Sequence, residues 1–152
     1  MKCAFIFDLD GTICDAVPRY RKYIEDQGED YENFYKHVEE DDEHFDVCCV
    51  LRALANAGFD ILFVTGRREG TRDATLEWIE SHLGADIANS SHLFMRSAED
   101  GHRSDYVSKC RNYNTYIKDK WHVMGVFEDR DQCVRAWRDL GLRCYQVADG
   151  CY

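Results

Sequence analysis

Long hydrophobic runs, proline and positive charge are all scarce in this 152-residue chain. No apolar stretch approaches the roughly 20 residues needed to cross a bilayer, so no membrane partner is expected. No secretory segment is read at the start, because Met1-Lys2 leads straight into an apolar run. No GxxxxGK[ST] loop occurs, so no nucleotide kinase activity is expected from this chain. No CxxC pair occurs either, which argues against a zinc ribbon or a thioredoxin-like redox pair. Lys and Arg number 19 against 29 Asp and Glu, a formal net charge of −10. That balance disfavours a long nucleic-acid footprint, since phosphate backbones are neutralised by Lys and Arg. The single proline, Pro18, suits a first helical turn. Repeats, linkers and low-complexity stretches are absent.

Cysteine, by contrast, is plentiful. The eight lie at 3, 14, 48, 49, 110, 133, 144 and 151, mostly in apolar stretches. They read as reduced, mostly buried small hydrophobes, which places the chain in the cytoplasm.

A chain of this length buries roughly 70% of its unfolded surface and reads as one domain, 1–152. Residues 3–7 form an unbroken apolar run, the pattern of a strand buried on both faces. Further strand-like stretches follow at 59–64, 92–95, 123–127 and 143–147. Between them, helical spacing is found over 46–57, 71–82, 104–116 and 130–140, with Gly58, Gly84 and Gly141 as stops. Ser104 is a candidate N-cap, with Asp105 in the first turn. Residues 97–103 read as a polar loop. The alternation predicts an α/β fold: a three-layer, Rossmann-like parallel sheet of about five strands. Residues 15–46 interrupt it as a small helical insert. Its acidic part, 29–43, is expected to present a solvated face.

Chemistry gathers where strands end. Asp8-Leu9-Asp10-Gly11-Thr12 follows the first strand, Thr65-Gly66-Arg67 the second, and Glu128-Asp129 the fourth. Lys109 lies on the helix between the third and fourth strands. Ligands of open α/β sheets bind at the carboxyl ends of the strands. Two carboxylates two residues apart repel, and burial raises that cost. A hard divalent cation such as magnesium, which prefers oxygen ligands, is the simplest compensation. Taken singly, these groups have plainer readings. Thr65-Gly66-Arg67 also fits an ordinary turn, Lys109 a solvated helix position, and Glu128-Asp129 a helix cap. The ordered set is what points to a site.

The run Asp8-Leu9-Asp10-Gly11-Thr12 resembles the DxDGT motif of the haloacid dehalogenase superfamily. The resemblance implies phosphoryl transfer: Asp8 as nucleophile and Asp10 as general acid/base. It implies Thr65 and Lys109 as catalytic groups on the phosphoryl oxygens. Magnesium would be held by Asp8, Asp10 (through its backbone carbonyl), Asp129 and Glu128. Glu128 stands where that family more often has Asp.

The stretches Thr65–Thr71, Leu93–Arg96, Arg103–Lys109, Phe127–Val134 and Gly141–Gly150 are similar to the 3′-phosphatase domain of phage polynucleotide kinase-phosphatase. That likeness implies removal of 3′-phosphates from RNA or DNA ends, with Thr65, Arg67, Arg19 and Asp105 binding substrate. It also implies a functional partnership with a separate kinase or ligase. Tyr20, Tyr23, Phe34 and Tyr35 of the insert have two readings, as base-stacking rings or as packing for the insert. Two rival functions remain: a phosphatase of mononucleotides or metabolites, and a signalling receiver that keeps a phospho-aspartate.

Overall fold

The computed structural model describes residues 1–151. Among them the chain forms strands β1 (Lys2–Phe7), β2 (Cys14–Asp15), β3 (Asp42–Glu43), β4 (Asp60–Arg68), β5 (His92–Arg96), β6 (Trp121–Glu128) and β7 (Cys144–Gln146). The helices are α1 (Val17–Tyr20), α2 (Tyr31–Lys36), α3 (Phe45–Asn56), α4 (Arg72–Leu83), α5 (Ala85–Ser90), α6 (Asp105–Asn112) and α7 (Asp131–Asp139). π-Helical turns extend α1 and α6.

Five strands make one parallel sheet in the order β5-β4-β1-β6-β7. Alternation along the strands divides the core in two. Phe7, Ile61 and Phe63 pack with Leu51 of α3 and with Trp78 and Ile79 of α4. Ala4, Ile6, Leu62, Val64 and Val126 pack with Val134 and Trp137 of α7. Each central strand is therefore apolar on both faces, which is why the sequence runs are continuous and not alternating. The expected three-layer parallel architecture is what the chain adopts.

The strand order reverses at β1, with β4 and β5 on one side and β6 and β7 on the other. The crevice at the carboxyl ends of β1 and β6 is thus the switch point of the sheet, where ligands bind in this architecture.

Between β1 and α3 the chain makes a flap. The β2–β3 antiparallel pair forms its stem, and α1, its π-helical extension and α2 form its body. The ribbon was not legible as strands because each strand is two residues long. The solvated-face reading of the acidic segment fails at one position: Asp41 is buried, with its charge matched by two arginines. Helix α5 also lacked a sequence expectation. Strand β4 runs on through Arg68, and its pairing with β5 is interrupted between Val64 and Arg68. Such bulges re-aim side chains, and this one carries Thr65 and Arg67.

Candidate active site

The turn after β1 is built by backbone bonds. The amides of Thr12, Ile13 and Cys14 all donate to the Leu9 carbonyl, at 3.0, 2.9 and 2.9 Å. Gly11 sits at φ 84, a conformation that side chains resist. Asp8 is tied to the next strand by its amide, which donates to the Phe127 carbonyl at 3.0 Å. Leu9 is fully buried below. Asp8 and Asp10 therefore leave a rigid loop on the same rim of the sheet.

Two charge clusters result. In the first, Lys109 Nζ lies 2.8 Å from Asp8 Oδ1, 2.8 Å from Glu128 Oε2 and 3.1 Å from Asp105 Oδ2. The Thr12 hydroxyl donates to Asp129 Oδ1 at 3.1 Å and lies 3.4 Å from Asp8 Oδ2. Burial, then repulsion from Glu128, pushes the Asp8 carboxyl well above the usual range, against the pull of Lys109. Burial acts to strip the proton from Lys109, but Asp105, Asp8 and Glu128 outweigh it and hold the ammonium charged.

In the second cluster, Arg67 grips Asp10 through Nε at 3.1 Å and Nη2 at 2.7 Å, and Arg19 Nη2 adds a bond at 2.9 Å. Both arginines also reach Asp41, Arg19 at 2.8 Å and Arg67 at 3.4 Å. The Trp78 indole donates to the Asp41 carbonyl at 2.7 Å. Asp10 keeps 36% of its side-chain surface open to the cleft, whereas both guanidinium groups are buried. Burial opposes its ionisation, but the charge and hydrogen bonds of Arg67, with Arg19, hold its carboxyl down at about 2.

Both clusters floor a cleft of about 700 Å³ between the flap and the sheet. Thr65 opens on it, with its hydroxyl accepting from the Arg67 amide at 3.1 Å. Asp8, Asp10, Thr65, Lys109, Arg67, Arg19, Asp105, Glu128 and Asp129 are all drawn into this one region, although they come from β1, the flap, β4, α6 and β6. Oxygen atoms of Asp8, Glu128 and Asp129 approach within 4.8 Å of one another, an all-carboxylate set that fits a hard divalent cation. The carboxylate of Asp10 faces the arginines instead. Glu128 is shared: its Oε1 accepts the amides of Asp129 and Arg130, at 3.2 and 3.3 Å.

Two glycines allow this packing. A Cβ on Gly66 would strike the Asp105 carboxylate, and one on Gly150 would strike the Asp129 carbonyl. The closing segment is bound there, with the Asp131 amide donating to the Gly150 carbonyl at 2.8 Å and Gln146 Nε2 donating to the Asp129 carbonyl at 2.9 Å. These contacts belong to the closing stretch Gly141–Gly150 whose pattern stood out in the sequence.

The model of the polynucleotide kinase PNKP phosphatase domain matches residues 2–152. The chain belongs to this family. It is a phosphoric monoester hydrolase of the haloacid dehalogenase fold. A putative bifunctional polynucleotide kinase/RNA ligase of Autographa californica nuclear polyhedrosis virus is 37% identical over 140 residues, 91% of this chain but 18% of that protein. A chain in the structure of the Pnkp1/Rnl/Hen1 RNA repair complex superposes with TM-score 0.83 at 25% identity, covering 100% of this chain and 44% of that one. A class C acid phosphatase from Bacillus anthracis, solved with tungstate bound, shares the fold at TM-score 0.72 and 16% identity, covering 99% of this chain and 68% of that one. The chain thus spans less than half the length of its relatives among polynucleotide kinases and RNA-repair proteins.

Sequence reasoning missed two residues of this PNKP-type phosphatase domain. Asp41 gave no signal, being one acid among several in the run 39–43. Asp100 did leave one. Ser97-Ala98-Glu99-Asp100 has the spacing of a capping box, and that box is formed. Asp100 accepts from Ser108 at 2.9 Å and from Arg111, pinning the 97–103 segment to α6. Ser104 occupies the N-cap position of α6 without a side-chain bond.

Proposed function

We propose that this chain removes 3′-phosphates from polynucleotide ends through an aspartyl-phosphate on Asp8, with magnesium as cofactor. The observation that carries the reading is the buried meeting of Asp8, Glu128 and Asp129 against Lys109 at the sheet's switch point. Three carboxylates and one ammonium leave negative charge uncompensated in a low-dielectric site. Asp8, Asp129 and Glu128 are the side chains to hold the ion. Bound there, magnesium supplies positive charge against the attacking and transferred oxygens.

Asp8 attacks phosphorus, and the bond to the 3′-oxygen breaks as Asp10 delivers a proton to it. Water then attacks the aspartyl-phosphate, Asp10 takes the water's proton, and the bond to Asp8 breaks to release inorganic phosphate. The ionised Asp10 described above is the form needed for the second step. In the first step the arriving phosphate competes for Arg19 and Arg67, and each guanidinium it draws off makes Asp10 more basic. Lys109 and Thr65 meet the phosphoryl oxygens, and Asp105 orients Lys109.

The flap, residues 15–46, works as a cap over the cleft. Eight free cysteines suit a reducing compartment, the cytoplasm. Among the described residues no helix is long and apolar enough to cross a membrane. The names of the relatives support a working partnership with a kinase or ligase in end repair.

The test is phosphate release from 3′-phosphorylated RNA and DNA oligomers, against a 3′-mononucleotide and an aryl phosphate. Release should require magnesium and vanish in Asp8→Asn. Turnover by Asp8→Asn refutes the nucleophile, and preference for the two small substrates refutes the polynucleotide reading.

A further inference from the structure

The flap's aromatic residues divide into two groups. Tyr23 is packing: it is 5% exposed, stacks on His37 at 5.5 Å and donates to Glu40 at 2.9 Å. Phe34 is also occupied, lying under the Arg19 guanidinium at 4.3 Å. Tyr20 and Tyr31 differ. They line the cleft and are 45% and 48% exposed, although each is held from behind. Phe34 meets Tyr20 edge to face at 6.0 Å, and Tyr35 stacks beside Tyr31 at 6.4 Å. Tyr35 is in turn covered by Arg68 at 5.4 Å. Two half-exposed rings, each in contact with a second ring, thus line the cleft.

Outside the flap, the lining of that cleft also carries Arg96, Arg103 and Arg130, with Arg96 and Arg130 each 3.9 Å from the Asp105 carboxylate. The chain is strongly acidic as a whole, yet five arginines, at 21, 67, 96, 103 and 130, line this cleft beside its carboxylates. A ligand that carries both flat apolar rings and phosphates matches this lining. The volume, about 700 Å³, exceeds what a terminal phosphate fills.

We propose that Tyr20 and Tyr31 stack on the last bases of a single-stranded 3′-end, so that the flap selects base-bearing single strands without reading their sequence. This rests on the phosphatase reading above and adds its specificity element. Ring stacking is tolerant of base identity because every base has a π-face. A duplex end would hide those faces.

The test compares two 3′-phosphorylated oligonucleotides of equal length, one ending in a normal nucleotide and one in an abasic sugar. The abasic end should show a KM roughly 5- to 150-fold higher, the span expected for one lost stack. The Tyr20→Ala/Tyr31→Ala protein should erase that gap, and Tyr20→Phe/Tyr31→Phe should keep it. A second readout needs no turnover: a terminal 2-aminopurine 3′-phosphate should lose fluorescence on binding the Asp8→Asn protein, and keep it when both tyrosines are also alanine. Equal KM for the two ends overturns the proposal. So does an alanine variant that slows both substrates alike, since the rings would then only support the flap. Absence of phosphate release from every 3′-end would strike the phosphatase reading itself, a distinct result.

Discussion

Replacing Lys109 by methionine keeps most of the unbranched side chain and removes an ammonium that contacts Asp8, Asp105 and Glu128 together. At 2.8 Å and an effective dielectric near 20, each of the two shorter contacts carries about 6 kcal/mol of attraction. Most of that is offset by desolvation. Truncating one partner of a buried pair nevertheless costs about 3–5 kcal/mol, because the remaining charge is left uncompensated. The carboxylates can escape by binding protons, and Asp8 is already shifted in that direction. That escape caps the loss. For a chain of this size, about 3–5 kcal/mol corresponds to a fall in Tm of roughly 6–20 °C. The assay is thermal unfolding followed by circular dichroism at pH 7, in chelator and in magnesium. The deficit should be largest in chelator and shrink with magnesium, since the carboxylates left without an ammonium bind the cation more tightly and the folded variant gains more from it than the wild type does. Adding Glu128→Gln to Lys109→Met should recover part of the loss, and phosphate release should be absent throughout. A Lys109→Met protein that melts with the wild type in chelator, or still turns over, would falsify the charge-balance argument.

Three further outcomes are expected. Asp41→Asn should lower kcat by about 100-fold and lower Tm as well, because the buried guanidinium groups of Arg19 and Arg67 lose a shared anchor and small misplacements cost that much in rate; wild-type turnover contradicts this. Gly150→Ala should displace the Asp129 backbone and raise the magnesium concentration for half-maximal activity, so an unchanged magnesium titration counts against that ion site. Asp100 is partly penalised by burial, yet bonds from Ser108 and Ser97 and the Arg111 charge hold its carboxyl below the ordinary value. A depressed folded pKa gives stability that is full above the unfolded value of about 3.9 and is lost as pH falls through the folded one. Asp100→Asn should therefore be less stable at neutral pH and show a shallower acid limb in urea titrations, whereas parallel pH profiles would remove Asp100 from that role.

Much of the fold was readable because its central strands are buried on both faces and α3, α4 and α7 end at glycines. Continuous runs such as 61–64 admit few other readings, and the order of elements then leaves few topologies. The site was readable for a related reason: charge placed at the end of an apolar strand has few structural excuses. The flap was less legible. Its strands are two residues long, and the one acid that matters, Asp41, is distinguished from its neighbours only by the arginines brought to it from Arg19 and Arg67. The aromatics resolved only in space, since neighbours in the sequence such as Phe34 and Tyr35 face different partners. Half of the cysteines proved buried, at 14, 48, 133 and 144, while 3, 49 and 151 are exposed and 110 is intermediate.

The square of Asp10, Asp41, Arg19 and Arg67 spans a joint in the molecule. Arg19 and Asp41 belong to the flap, whereas Asp10 and Arg67 belong to the sheet's rim. Lifting the flap would carry Arg19 away and leave Asp10 with one guanidinium, so that carboxyl would take up a proton more readily with the flap raised than with it seated. Acid strength at the reacting bond is thereby tied to how the flap is seated, because one of the two guanidinium groups that hold it down is the flap's own.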